Sequence, residues 1–326
     1  MGRRHVEMGS VMKVGVIFPG QGSQVVGMGV DVAQQSDAAR HLFARANDVL
    51  GYDLLELQRN GPEETLRETQ FSQPAIFATN VALYAAVGDA LAPVASAGHS
   101  FGEFCSLTVS NALTFEDALR VVDERGKAMQ FAAEQAPGGM SAVIGMNADR
   151  IREIVDGVRA ANGGRVQLAN FNSPSQIVIS GDLATVQAAG DALLEGGAKR
   201  VVPLNVSGAW HSELMRPAID RFAASVNAAP LRMPQFDVVS NVDAQPYRDT
   251  EKIRHNLVRS ITDEVRWHDT ALKLISYGLD LVVEFGASPV LAPLMKRLPD
   301  APQVMNVSDS GGVQKLRAAL EGKVNA

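Results

Sequence analysis

A short apolar run, Val94–Gly98, leads straight into Gly98-His99-Ser100-Phe101-Gly102, and a helical pattern follows over Phe101–Asn111. This G-x-S-x-G pentapeptide between a strand and a helix constrains the chain more than any other segment. A sharp strand-to-helix turn crowds its own backbone, so small residues must flank the serine. The turn also aims the next backbone N–H groups to where a developing oxyanion is stabilised. Ser100 therefore reads as a nucleophile. The five letters alone fit a glycine-flanked serine that caps a helix equally well. Cys105 is the rival nucleophile, but it lies in the following helix among Phe104 and Leu107 and reads as a buried filler.

Strand and helix patterns alternate along the rest of the chain, which argues for an α/β fold. Val11–Phe18 reads as a buried strand stopped by Pro19-Gly20, and Val238–Val242 and Leu279–Phe285 as further strands. Helical spacing covers Asp31–Leu50, Pro74–Leu91, Phe115–Ala133, Trp267–Tyr277 and Pro289–Arg297, and the tail after 308 reads as a short helix or fray. The middle has its own logic. Gly138-Gly139 reads as a hinge-like break. Met140–Met146, a helix capped by Asn147, Val166–Asn170, a turn at Asn172–Ser175, Gln176–Ser180, a helix Asp182–Glu195 and Arg200–Val206 then follow in the order β-α-β-β-α-β. That is the split ferredoxin-like unit. The expected architecture is an α/β-hydrolase-like large domain, residues 11–137 and 208–312, with a ferredoxin-like subdomain at 138–207. Residues 1–10 are expected to be a disordered extension, with Met8 or Met12 as candidate natural starts.

Composition narrows the function. The 326 residues, 46% apolar and 20% charged, suffice for a large core. A net charge of −6 argues against a broad nucleic-acid surface. The single cysteine excludes a disulfide framework or a multi-cysteine zinc site within the chain and suits a reducing cytoplasm. No apolar stretch follows the basic N-terminus, so no signal peptide is expected, and Val6 breaks the myristoylation pattern. The longest apolar stretch, 74–98, is interrupted by Asp89 and Pro93 and reads as core, not membrane. The loop Pro19-Gly20-Gln21-Gly22-Ser23-Gln24 invites a dinucleotide reading, but Val25 occupies the third glycine position and no acidic residue ends a second strand. A Gly-rich turn there can instead present an N–H to an oxyanion.

A serine nucleophile needs a base, and neutral imidazole suits it. Of six histidines, His5 is in the tail, His41, His255 and His268 lie in helical stretches with polar neighbours, and His99 adjoins the nucleophile and must point elsewhere. His211 follows a strand and the loop Ser207–Trp210, a setting that collects catalytic groups. No acidic third member stands out. Arg125, taken alone, reads as a solvated helix arginine.

Seven motifs in order carry a resemblance: Phe18–Gln24, Gln73-Pro74, Gly98–Glu103, Arg125–Met129, Asn172–Gly181, His211-Ser212 and Ser240–Val242. Over about residues 12–310 the chain resembles the malonyl-CoA:acyl carrier protein transacylases of bacterial fatty-acid synthesis and the related acyltransferases of polyketide synthases. The resemblance implies a malonyl-serine on Ser100, with His211 as general base and then acid. It implies backbone N–H groups of Gln21 and Phe101 as oxyanion donors, and Arg125 as partner of the malonyl carboxylate. It implies that a main-chain carbonyl orients the histidine, which would fall at Arg266. Malonyl-CoA would be substrate, coenzyme A the product and acyl carrier protein the partner, with no metal or redox cofactor and a cytoplasmic monomer as the working form. Phe101 stands where Leu or Val is commoner, and Arg266 where some members have Gln. Trp210 stands where Phe or Ser is commoner, and its ring should narrow the pocket against branched acyl groups. Lys199-Arg200 and Lys296-Arg297 are candidate contacts for an acidic carrier, though ordinary solvated charges read the same way.

Overall fold

β-Branched and apolar runs become strands where the expected pattern placed them, and the strands sort into two sheets. The computed structural model describes residues 12–324; the expected extension at 1–10 and Val11 lie outside them. Among the described residues the strands are β1 Val14–Phe18, β2 Pro93–Gly98, β3 Gly138–Ile144, β4 Val166–Ser173, β5 Gln176–Asp182, β6 Arg200–Pro203, β7 Asp237–Val239, β8 Leu281–Phe285 and β9 Gln303–Val307. A five-stranded parallel sheet has the order β7-β2-β1-β8-β9, and a four-stranded antiparallel sheet the order β4-β5-β3-β6.

Every residue of β1 is buried, as expected of a central parallel strand covered on both faces. Its side chains alternate between two cores. Val14, Val16 and Phe18 join the larger cluster, and Ile17 joins the one built around Trp267 and Leu291. The small sheet divides in the same way. Val143, Ile177 and Ile179 pack under the helices Ala148–Asn162 and Leu183–Glu195, while Met140, Ala142 and Val178 face the large core.

Several elements differ from expectation for local reasons. The expected helix Asp31–Leu50 is two helices, because Ser36 is extended and its hydroxyl caps the second by accepting from Ala39 N at 3.3 Å. Gly138 and Gly139 are not a hinge. Both lie in β3, and a Cβ on Gly138 would sit 2.6 Å from the Gly181 carbonyl oxygen and 2.7 Å from Ala209 Cβ. β6 ends at Pro203 and not at Val206; past it, Leu204 N still donates to Met140 O of β3 at 2.9 Å. The tail is no fray: Ser310–Val324 is a full helix that buries Val313, Leu316 and Leu320. β9 is not evident in the sequence pattern because it is short and lies between Pro299 and Pro302 on one side and the final helix on the other. No helix among the described residues is long and apolar enough to cross a membrane.

What positions the site is the level ending of β1 and β2. Phe18 pairs with Gly98, and His99 N donates to Phe18 O at 2.9 Å. The loops after both strands therefore lie side by side at the carboxyl edge of the sheet, the usual place for chemistry in such folds.

Candidate active site

The glycines of the pentapeptide are required by backbone contact. A Cβ on Gly98 would lie 1.9 Å from Gly102 C, and one on Gly102 would lie 2.4 Å from Phe18 O. Gly20, on the neighbouring loop, would meet His99 O at 2.8 Å. Three chain segments thus approach without side chains between them, and Ser100 is left at φ 54°. His211 sits at φ 56°. Left-handed non-glycine residues of this kind are strained and concentrate at functional sites.

Ser100 Oγ and His211 Nε2 are 2.8 Å apart. His211 Nδ1 lies 2.8 Å from the carbonyl oxygen of Ser260. A carbonyl only accepts, so Nδ1 carries the proton and Nε2 is free to accept from the serine hydroxyl. Burial, with help from the nearby Arg125 charge, lowers the His211 pKa from 6.5 to about 3. The imidazole is therefore neutral at physiological pH, with Nε2 free to accept a proton.

The orienting carbonyl is that of Ser260, not Arg266. Ser260 follows the helix Thr250–Arg259, where the last carbonyls have no partner within the helix. The Arg266 carbonyl is already used, accepting from Thr270 N at 3.0 Å to open the next helix. A carbonyl exists at every residue, so nothing in the side-chain pattern distinguishes the two positions.

Arg125 is wholly buried, not solvated. Gly126 brings this about. A Cβ there would lie 2.8 Å from Thr69 O, so the helix Phe115–Gln135 can rest against the start of the helix Thr69–Val87 only through a glycine. The Arg125 guanidinium donates through Nη2 to Ser100 Oγ at 3.2 Å and through Nη1 to Gln73 Oε1 at 2.9 Å. Its Nε has no partner, and none of the ion pairs among the described residues involves it. Burial lowers its pKa to about 9, so it stays charged at neutral pH.

The backbone of Ser100 is held by a residue to which the sequence assigned no role. Ser100 N donates to Asn241 Oδ1 at 3.1 Å, and Asn241 Nδ2 returns a bond to Ser100 O at 3.0 Å. Asn241 is held in turn by the buried Glu103 carboxylate, which accepts from its N–H at 2.9 Å, from its amide and from the Tyr247 hydroxyl. Asn241 belongs to the Ser240–Val242 motif, so a signal existed, but not its meaning. Ser100 N–H is thus occupied, whereas the backbone N–H groups of Phe101 and Gln21 have no hydrogen-bond acceptor among the described residues.

A cleft of about 90 Å³ lies over Ser100, lined by Gln21, His99, Met140, Asn170, Leu204, Val206, Trp210 and His211. The large sheet and the small one both contribute. A wider cleft of about 400 Å³ shares Gln21, Leu204 and Val206 and extends past Gln24, Val25 and Arg67. Trp210 is buried, with its ring edge against Gly208. His99 turns to Asn172 Oδ1 at 3.0 Å, and burial lowers its pKa to about 4. Cys105 is buried beneath the elbow, and burial raises its pKa. His41 and His255 are exposed, and His268 is half-buried in the helix Trp267–Ile275.

A model of the acyl transferase domain matches residues 16–314. The chain is 37% identical over 298 residues to the malonyl CoA-acyl carrier protein transacylase of Bacillus subtilis, covering 91% of this chain and 94% of that protein. It is 38% identical over 307 residues to the Escherichia coli K12 protein of the same description, covering 94% and 98%. Among solved structures it is similar to a malonyl-transacylase in complex with a type II polyketide synthase acyl-carrier protein. The TM-score is 0.89 at 39% identity, covering 95% of this chain and 99% of that one. FabD from Acinetobacter baumannii gives 0.90 at 34%, covering 96% and 99%.

Proposed function

Since the chain belongs to the acyl transferase domain family and is an acyltransferase, we propose that it moves a malonyl group from coenzyme A to the phosphopantetheine thiol of an acyl carrier protein. The observation that carries this reading is Arg125: a charged, fully buried guanidinium without a carboxylate partner, 3.2 Å from the nucleophile. A buried unpaired charge is costly. A substrate with a free carboxylate relieves that cost and accepts two parallel, charge-assisted hydrogen bonds, each worth about 1.5–3 kcal/mol.

In the first step His211 Nε2 takes the Ser100 proton as Oγ attacks the thioester carbonyl. The oxyanion receives N–H groups from Gln21 and Phe101. Collapse expels the coenzyme A thiolate, which takes the proton from His211 and leaves malonyl-Ser100. In the second step His211 deprotonates the carrier's phosphopantetheine thiol. That sulfur attacks the ester, and the proton returns to Ser100. Ping-pong kinetics follow, and no metal or redox cofactor enters the chemistry. The cleft that shares Gln21, Leu204 and Val206 with the serine pocket suits the extended pantetheine arm. Residues 138–207 serve as the small subdomain that closes one side of it, Trp210 narrows the acyl pocket, and the working form is a cytoplasmic monomer.

The test is intact-mass spectrometry after brief mixing with malonyl-CoA, with Ser100→Ala as control. A gain of one malonyl group, absent in the control, is expected. Coenzyme A release without an adduct would mean hydrolysis, and neither adduct nor release would overturn the reading. Comparison of carrier proteins from fatty-acid and polyketide systems then separates those two pathways.

A further inference from the structure

A guanidinium can only donate hydrogen bonds, and that simple fact sets the direction of a buried chain behind the site. Arg125 Nη1 donates to Gln73 Oε1, so the other end of that amide must donate, and Gln73 Nε2 does so to Thr69 Oγ1 at 2.8 Å. Having accepted there, the Thr69 hydroxyl spends its hydrogen on Gln21 Oε1 at 3.2 Å. Gln21 Nε2 then donates to Ser72 Oγ at 3.1 Å. Thr69, Ser72, Gln73 and Arg125 are all fully buried, so water cannot replace a missing partner.

We infer that the Thr69 hydroxyl is a positioning group that ties the carboxylate-binding guanidinium to the loop bearing the Gln21 oxyanion donor, so that acyl recognition and oxyanion stabilisation are coupled through one side chain. The inference rests on the proposed malonyl transfer. Thr69 is the hydroxyl between the two amides: it accepts from Gln73 on the Arg125 side and donates to Gln21 on the other. Without the Thr69 oxygen, Gln73 Nε2 keeps only the weak acceptor Met129 Sδ at 3.5 Å, so the amide is held less firmly with its oxygen toward Arg125. A turned amide would put two donors face to face. At the same time Gln21 Oε1 loses its donor, and the side chain is left with the Ser72 bond as its remaining hydrogen bond to the helix. A threonine present only to pack the helix start would need its methyl group, not its hydroxyl.

The experiment compares wild type, Thr69→Val and Thr69→Ser, with malonyl-CoA and acetyl-CoA as donors and holo acyl carrier protein as acceptor. Melting temperature is recorded for each. Valine keeps the volume and removes the hydroxyl; serine keeps the hydroxyl. Thr69→Val is expected to lower kcat for malonyl transfer about 10–100-fold and for acetyl transfer about 10-fold, no more than the roughly 100- to 1,000-fold that outright loss of an oxyanion donor costs, with Thr69→Ser within about 3-fold of wild type. Gln21→Met cuts the chain one link later without touching the helix. It is expected to lower kcat for both acyl groups by the same factor while leaving KM for malonyl-CoA unchanged. If Thr69→Val melts lower but turns over both donors like wild type, or Gln21→Met leaves kcat unchanged, the coupling is wrong. A wild-type protein that accepts no malonyl group would remove the transfer reading and this inference together; a wild type that accepts it beside a fully active Thr69→Val removes the inference alone.

Discussion

Arg125→Ala is the perturbation that separates substrate recognition from the chemistry of acyl transfer. The carboxylate of malonyl would lose two charge-assisted hydrogen bonds, about 3–6 kcal/mol in total. Part of this is offset, because the free enzyme no longer holds a buried unpaired charge. A net loss of about 3–4 kcal/mol corresponds to a drop of roughly 100- to 1,000-fold in kcat/KM with malonyl-CoA. Acetyl-CoA has no carboxylate. It is affected only through the 3.2 Å bond from Nη2 to Ser100 Oγ, about 1 kcal/mol, or less than about tenfold. The preference for malonyl over acetyl should therefore shrink by about 10- to 100-fold. Gln73 Oε1 would also lose its partner, at about 1–3 kcal/mol of stability, so a thermal melt accompanies the assay. Steady-state kcat/KM for both donors decides the matter. Equal losses would show that Arg125 serves Ser100 or the fold and not the carboxylate.

The remaining predictions concern the base, the elbow and the pocket. Burial holds the His211 and His99 pKa values at about 3 and about 4, below the ordinary 6.5. Both are neutral in the folded protein while the unfolded chain binds protons below about 6.5. Their stabilisation is complete above that pH and is lost as pH falls toward 4 and 3. The single-turnover acylation rate should stay flat from about pH 8 to about pH 5; an inflection near 6.5 would contradict the buried neutral base. Asn241→Ala removes both bonds to the Ser100 peptide, and should cost about 1–3 kcal/mol of stability and roughly tenfold or more in kcat with little change in KM. Unaltered kcat would mean that the elbow holds itself. Ser260→Ala keeps the carbonyl that orients His211 and should leave kcat within about threefold, whereas a large loss would implicate its side chain. Trp210→Ser should widen acceptance of branched acyl donors, measured as the ratio of kcat/KM for methylmalonyl-CoA and malonyl-CoA; an unchanged ratio would take Trp210 out of the acyl pocket.

By itself the sequence determined the features that local rules control. Backbone crowding demands Gly98 and Gly102 around a strand-to-helix serine, continuous apolar runs make β1 and β8 fully buried strands, and the β-α-β-β-α-β order implies the antiparallel sheet β4-β5-β3-β6. The motif pattern also singles out Ser100, His211 and Arg125. Tertiary structure decided whatever depends on groups distant in the chain. Arg125 looked like a solvated helix residue until Gly126 allowed two helices to meet and buried it. The carbonyl that orients His211 belongs to Ser260 because a helix happens to end there, and a backbone carbonyl leaves no trace in residue identity. Asn241 lies 141 positions from the serine peptide it clamps, and Thr69 meets Gln21 across 48. Such contacts are fixed by how the two sheets and their helices pack, and the short-range periodicities of a chain carry no record of that packing.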